Sequence, residues 1–243
     1  MYRHIQNYDI KYSDVDAYDK IKLSSLLSFL QESACLSADE LGFGYSAVTP
    51  KNIAFIVVNY YIEFFDEIKL GDTLCVHTWP LAPKHCIFLR DFELFCKDKK
   101  VGVATARWCM VDLRSFKLLP ASAFFQPDFF DNYNTERSLD FNDFKIRSVS
   151  DERIAYSKII TFSDYDHYFH VNNAKYADFL IDVFNVEELK QKRLKSVGIT
   201  YTKQCKIGEE LQLFRSDNGG EHIIEGKVSG EQRIIARIKF DEV

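Results

Sequence analysis

No stretch of this sequence approaches the ~18 consecutive apolar residues of a membrane-spanning helix. No membrane span is therefore expected. The opening residues, MYRHIQNYDI, carry charges and no apolar segment, so no signal peptide is expected and the cytoplasm is the expected compartment. There is no basic excess. Thirty-one Lys and Arg face 36 Asp and Glu, for a net charge of −5, which argues against a nucleic-acid partner. No Cys-x-x-Cys pair occurs. The six cysteines, Cys35, Cys75, Cys86, Cys96, Cys109 and Cys205, sit mostly in apolar runs such as CIFL and FELFC and read as reduced core residues. His167 and His170 are spaced as metal ligands on a helix can be, but no third ligand of the right kind is obvious, so neither a metal nor another cofactor is expected. What the chain does have is apolar mass. It is 47% hydrophobic and 15% aromatic over 243 residues, enough for one large domain or two small ones.

The sequence also repeats itself. YSDVDAYDKIKLSSLLSFL (12–30) aligns with FSDYDHYFHVNNAKYADFL (162–180) at a constant offset, so Ser13, Asp14, Asp16, Tyr18, Phe29 and Leu30 recur as Ser163, Asp164, Asp166, Tyr168, Phe179 and Leu180. IKLGDTL (68–74) aligns in turn with CKIGEEL (205–211). These matches divide the chain into a first unit (1–120), a linker (121–151) that is aromatic enough to pack on the surface, and a second unit (152–243).

Each unit opens with a short extended piece and an apolar helical stripe: Leu23, Leu26, Leu27, Leu30 and Ala34 in the first, Tyr176, Phe179, Leu180, Val183 and Phe184 in the second. Ser24 or Ser25 is the expected cap of the first helix, and Asn172 or Asn173 that of the second, over 172–184. Strand-like runs follow at 53–65, 73–79, 85–96 and 101–113, and again at 197–205, 211–214, 221–230 and 233–240. One helix wrapped by an antiparallel sheet is the hotdog arrangement. Two in one chain make a double hotdog, an α+β fold.

The stretch SDYDHYFHVNNAKYADFL (163–180) crowds two aspartates, two histidines and two asparagines at the mouth of an apolar helix. It resembles the active-site stretch of the acyl-acyl carrier protein (acyl-ACP) thioesterases of plants and bacteria. Four further segments resemble that family in order: LLSFLQESACLSADELGFG, TWPLAPKHCIFLRDFEL, ARWCMVDLRSFK and YTKQCKIGEEL. The resemblance implies hydrolysis of fatty acyl-ACP, with the acyl carrier protein as partner. It carries catalytic roles onto Asp166, His170 and Cys205, with Asn172 and Asn173 at the helix N-terminus. Two family positions have changed chemistry: Tyr168 stands in place of an asparagine, and Gln204 in place of a glutamate.

Thioester hydrolysis needs an activated water and a stabilised oxyanion. The backbone of 171–174, at a helix N-terminus, can offer N–H donors to the oxyanion. His170 can act as general base, Asp166 can orient water and Gln204 can position it. Water is preferred over Cys205 as nucleophile. The first unit has Lys20 opposite His170 and Glu67 opposite Gln204, so it reads as a structural half or acyl-pocket wall.

Simpler roles compete. Asp164 and Asp166 recur as Asp14 and Asp16, as turn caps do. His167 reads as a surface residue, Cys205 as a core thiol, and Trp79 and Trp108 as core aromatics, with lining of the acyl tunnel as their other reading. The basic run KQKRLK, with Lys190, Lys192, Arg193 and Lys195, is either a solvated helix end or a carrier-protein dock. Acyl-CoA hydrolysis and acyl binding without turnover are the alternative functions, and the chain can be a monomer or a homodimer.

Overall fold

The structure is a computed structural model and describes residues 2–126, 128–131, 133–148 and 153–242. The expected unit boundary at 151/152 and the two terminal residues lie outside the described residues.

The first helix, α1 (Leu23–Glu40), buries the predicted stripe: Leu26 and Leu30 are fully enclosed, and Leu23, Leu27 and Ala34 nearly so. Its cap differs from expectation. The Lys22 amide is already held by the Asp14 carbonyl at 2.8 Å, so the helix starts at Leu23 and both serines fall inside its first turn. Gly42, at φ +78°, lets the chain leave the helix.

The strands of the first unit are β1 (His4–Asp9), β2 (Ile53–Phe64), β3 (Thr73–Pro80), β4 (Ile87–Cys96), β5 (Lys99–Asp112) and the two-residue β6 (Leu118–Leu119). A short helix, α2 (Tyr45–Val48), precedes β2. The second unit contributes β7 (Ile154–Ile159), α3 (Asn173–Ile181), α4 (Val186–Lys190), β8 (Lys192–Tyr201), β9 (Glu210–Asn218), β10 (Glu221–Val228) and β11 (Glu231–Glu242). Helix α3 is shorter than the predicted 172–184: it closes at Ile181, although Val183 and Phe184 beyond it are still buried.

All strands join one antiparallel sheet in the order β1-β3-β4-β5-β2-β8-β11-β10-β9-β7, with β6 on β5. The second half of this order is the first half reversed, so the repeat is structural and the units meet at β2 and β8. There Tyr61 pairs with Gly198 and Ile62 with Val197. Helices α1 and α3 pack together inside the wrap. One hydrophobic core, including Leu26, Leu30, Tyr176 and Leu180, spans both units. This is the expected double hotdog.

The connecting segment covers the outer face of the sheet. Phe141 stacks on Tyr61 with centroids 3.5 Å apart, Arg137 pairs with the fully buried Asp91 at 2.8 Å, and the Trp79 indole donates to the Glu136 carbonyl at 2.9 Å.

Candidate active site

The loop before α3 is built from its own aspartates. Asp164 is buried, and its carboxylate accepts from the Thr161 amide (2.8 Å) and hydroxyl (2.9 Å) and faces Lys158 at 3.1 Å. Burial alone pushes its carboxyl up, but Thr161 and Lys158 outweigh that and hold it below the ordinary range. The Asp164 carbonyl also accepts the Asn172 amide at 2.9 Å, which fixes where the helix begins.

Asp166 shapes the next turn. Its Oδ1 accepts from the Tyr168 amide at 2.9 Å and from the His170 amide at 3.4 Å, and its own amide donates to the His170 carbonyl at 2.8 Å. Asp16 does the same for Tyr18 and Lys20 in the first unit, at 2.8 and 3.1 Å. In both loops the residue before the key position, Phe169 or Asp19, has φ +58°. A bulky residue in the left-handed region is unusual, and here it turns the chain back toward the helix. Asp166 is therefore a positioning residue, common to a loop with histidine and a loop without.

His170 is half-buried. Its ring lies 6.3 Å from that of Phe116, in the turn after β5, and makes no hydrogen bond among the described residues. Asn172 caps α3, its Oδ1 accepting the Ala174 amide at 2.9 Å. With the Asn172 and Lys175 amides also committed, the Asn173 amide is the open donor of this first turn.

Gln204 and Cys205 do not lie on a strand, as the apolar run 197–205 predicted. Strand β8 ends at Tyr201, and both residues occupy the loop leading to β9. The segment is tied to the loop before α3 and to α3 itself by tyrosines. The Cys205 amide donates to the Tyr176 hydroxyl at 3.0 Å, the Ile207 amide to the Tyr165 hydroxyl at 2.9 Å, and the Tyr201 hydroxyl to the Asn173 carbonyl at 3.0 Å. Asn173 and Tyr176 are one turn apart on α3, so these bonds set the loop against the helix N-terminus. Gln204 Oε1 and Asn173 Oδ1 are both buried acceptors without a hydrogen-bond partner among the described residues. The Cys205 thiol is buried, and burial pushes it up despite its contacts with Tyr176 and Arg233.

Tyr168 turns away from this cluster. Its ring meets Tyr45 at 5.9 Å and His167 at 4.0 Å, and it lines an apolar cavity of about 110 Å³. The other walls come from the first unit, among them Ala34, Ala38, Phe55, Phe88 and Trp108. Burial pushes the Tyr168 hydroxyl up to about 12, so it stays protonated and can donate. Residues 45, 55 and 88 gave no sequence signal beyond being aromatic, whereas Trp108 carried the reading of a tunnel-lining residue.

The matching junction of the first unit is different. Lys20 Nζ pairs with Glu67 at 2.9 Å and donates to the Lys192 carbonyl at 3.0 Å, in a charged cavity of about 370 Å³. The basic run belongs here. Lys190 ends α4, and Lys192, Arg193 and Lys195 are on β8 instead of a solvated helix end. Arg193 and Lys195 share Asp241, at 3.1 and 2.9 Å. Lys192 and Arg193 line the Lys20 cavity, whereas His170 faces the first unit's Phe116.

A helix pair inside a two-fold repeated sheet, with a histidine loop beside an apolar cavity, defines a double-hotdog protein with a cavity lined from both halves. The family model for the acyl-ACP thioesterase N-terminal domain matches residues 1–121 and that for the C-terminal domain matches residues 148–242, so this chain belongs to the acyl-ACP thioesterase family. It is 25% identical to a chloroplastic palmitoyl-acyl carrier protein thioesterase of Gossypium hirsutum over 90% of its length, and 24% identical to one of Arabidopsis thaliana over 88%. The chain spans only 56% and 55% of those relatives. Among solved structures, an acyl-ACP thioesterase from Bacteroides thetaiotaomicron superposes with a TM-score of 0.90 at 21% identity, covering 98% of both chains. The 12:0-ACP thioesterase from Umbellularia californica superposes at 0.85 with 17% identity, covering 99% of this chain and 98% of that one. These likenesses show the fold.

Proposed function

We propose that this chain hydrolyses the thioester of fatty acyl-ACP, releasing free fatty acid and the carrier protein. The observation that carries the reading is the junction at Tyr168. The loop that presents His170 also forms a wall of the apolar cavity, so an acyl chain in that cavity brings its thioester toward α3.

In this reading the thioester oxygen faces the Asn173 amide at the positive end of α3. An attacking water donates one hydrogen bond to Gln204 Oε1 or Asn173 Oδ1, the two acceptors left unpartnered, and gives its proton to His170. The water oxygen bonds to the carbonyl carbon, the carbon–sulfur bond breaks, and His170 returns the proton to the departing thiolate. Asp166 holds the loop that aims His170. Cys205 takes no covalent part, because a buried thiol pushed above its ordinary value is a poor nucleophile. Lys192 and Arg193 line the other junction, so the carrier is not routed across them.

The test is release of free acid from matched acyl-ACP and acyl-CoA panels. Turnover of the ACP series, lost in His170→Ala, supports the proposal. Turnover confined to CoA esters makes the chain an acyl-CoA thioesterase. Tight binding without release makes it an acyl-binding protein.

A further inference from the structure

The lining of the cavity beside Tyr168 has one charged residue. Arg90, on β4, lines it and is only 5% exposed. One guanidinium nitrogen donates to the Ser37 hydroxyl at 2.8 Å and to the Thr78 hydroxyl at 3.4 Å. Hydroxyls accept hydrogen bonds but do not balance a charge, and among the described residues no carboxylate lies within ion-pair distance of Arg90. Two acids close to it are committed elsewhere. Asp91, the next residue and on the opposite face of the strand, is taken by Arg137, and Glu40 is taken by Tyr2 and His4. Burial lowers the Arg90 pKa to about 10, which leaves it charged at neutral pH. The Tyr60 hydroxyl, fully buried and without a hydrogen-bond partner among the described residues, lies close enough to feel that charge. A buried unpaired cation is costly to a fold. Arg90 is held in place by α1 and β3, with the rest of its fork available to whatever enters the cavity.

We infer that Arg90 is a specificity-determining residue that selects acyl chains carrying an oxygen function, a hydroxyl, oxo or carboxylate group, over plain hydrocarbon chains of equal length. The inference deepens the function proposed above and rests on that reading for the location of the acyl chain. An oxygen acceptor inside the cavity meets the guanidinium and gains a charge-assisted hydrogen bond, while a plain chain leaves the cation facing hydrocarbon. The cavity, at about 110 Å³, is smaller than the ~150 Å³ that encloses a benzene ring, so it grips a short stretch of chain.

The experiment uses pantetheine amides, in which NH replaces the thioester sulfur, bearing chains of equal length that end in methyl, hydroxyl, oxo or carboxylate. Binding to the full chain is measured by calorimetry. At least one oxygenated analogue is expected to bind about tenfold or more tighter than the methyl-terminated one, the range of a hydrogen bond to a charged group. Arg90→Met should bring the analogues to parity, and Arg90→Lys should keep part of the preference for carboxylate. Equal or tighter binding of the plain chain by the unaltered protein overturns the inference, whether or not the variants fold. Thioesters of the same chains, assayed for hydrolysis in parallel, test the enzyme reading separately. A binding preference without hydrolysis removes that reading and keeps Arg90's role. Hydrolysis with tighter binding of the plain chain does the reverse.

Discussion

His170 and Lys20 occupy the same place in two loops of the same shape, and their partners separate them. Lys20 is committed to Glu67 and a carbonyl oxygen, while the His170 ring has no hydrogen bond among the described residues. His170→Ala is expected to lower kcat on acyl-ACP by ~10²-fold or more, and Lys20→Ala to leave it nearly unchanged. A larger loss from the lysine change would move the working site to the other junction. Gln204 gives the second residue-scale prediction. Gln204→Glu should keep or raise kcat, because a carboxylate can take a proton as well as orient water, whereas Gln204→Leu should lower it. Cys205→Ser should stay active, and mass spectrometry should find no acyl group on Cys205 during turnover; an adduct clearing at the turnover rate would replace water as the nucleophile. At this scale His170 rests on the family resemblance, while the Asp166 turn and the Asn172 cap were legible from the repeat and the cap pattern. The unpartnered oxygens of Asn173 and Gln204 and the lone charge of Arg90 were not, because what distinguishes them is the lack of a partner in space.

At the scale of elements, the start of α3 positions everything that the proposed chemistry uses. Asn172→Ala removes its cap, a change worth ~1 kcal/mol, so Tm should fall by about 2–4 °C. Thermal melts together with kcat would show whether the Asn173 amide moves with the cap. Asp164 makes stability sensitive to acid. Its folded-state carboxyl is held below the ordinary value, so its contribution is complete above the unfolded-state pKa of ~3.9 and is lost as pH falls through the folded one. Unaltered protein should therefore lose its Tm advantage over Asp164→Asn on acidification below about pH 4. A constant difference down to pH ~2 would contradict this. Element types followed from periodicity, but some ends did not. The run 192–195 reads as a charged helix tail, yet it starts β8 because pairing with β11 claims it. Tyr201 ends that strand and leaves 204–205 in a loop set by Tyr165 and Tyr176.

Across the whole molecule, one sheet and one core join the two units, with β2 and β8 supplying each other's missing neighbour. Neither half should be stable alone. Residues 1–148 and 153–243, expressed separately, should be insoluble or molten by near-UV circular dichroism, and co-expression should restore a folded complex. A cooperative melt from either fragment would show that the seam is not needed. The seam also has a consequence for how such a protein can change. In a symmetric pair of identical chains every substitution is made twice, so whatever suits one pocket is imposed on the other. Here the duplicate junctions sit on one polypeptide and have drifted apart, one toward an ion pair, the other toward a free imidazole beside a hydrocarbon-lined hollow. Cavity walls at Ala38 and Phe55 belong to one half and the histidine loop to the other. On the proposed function, substrate preference can be altered, by selection or by design, through residues of the half that lacks His170.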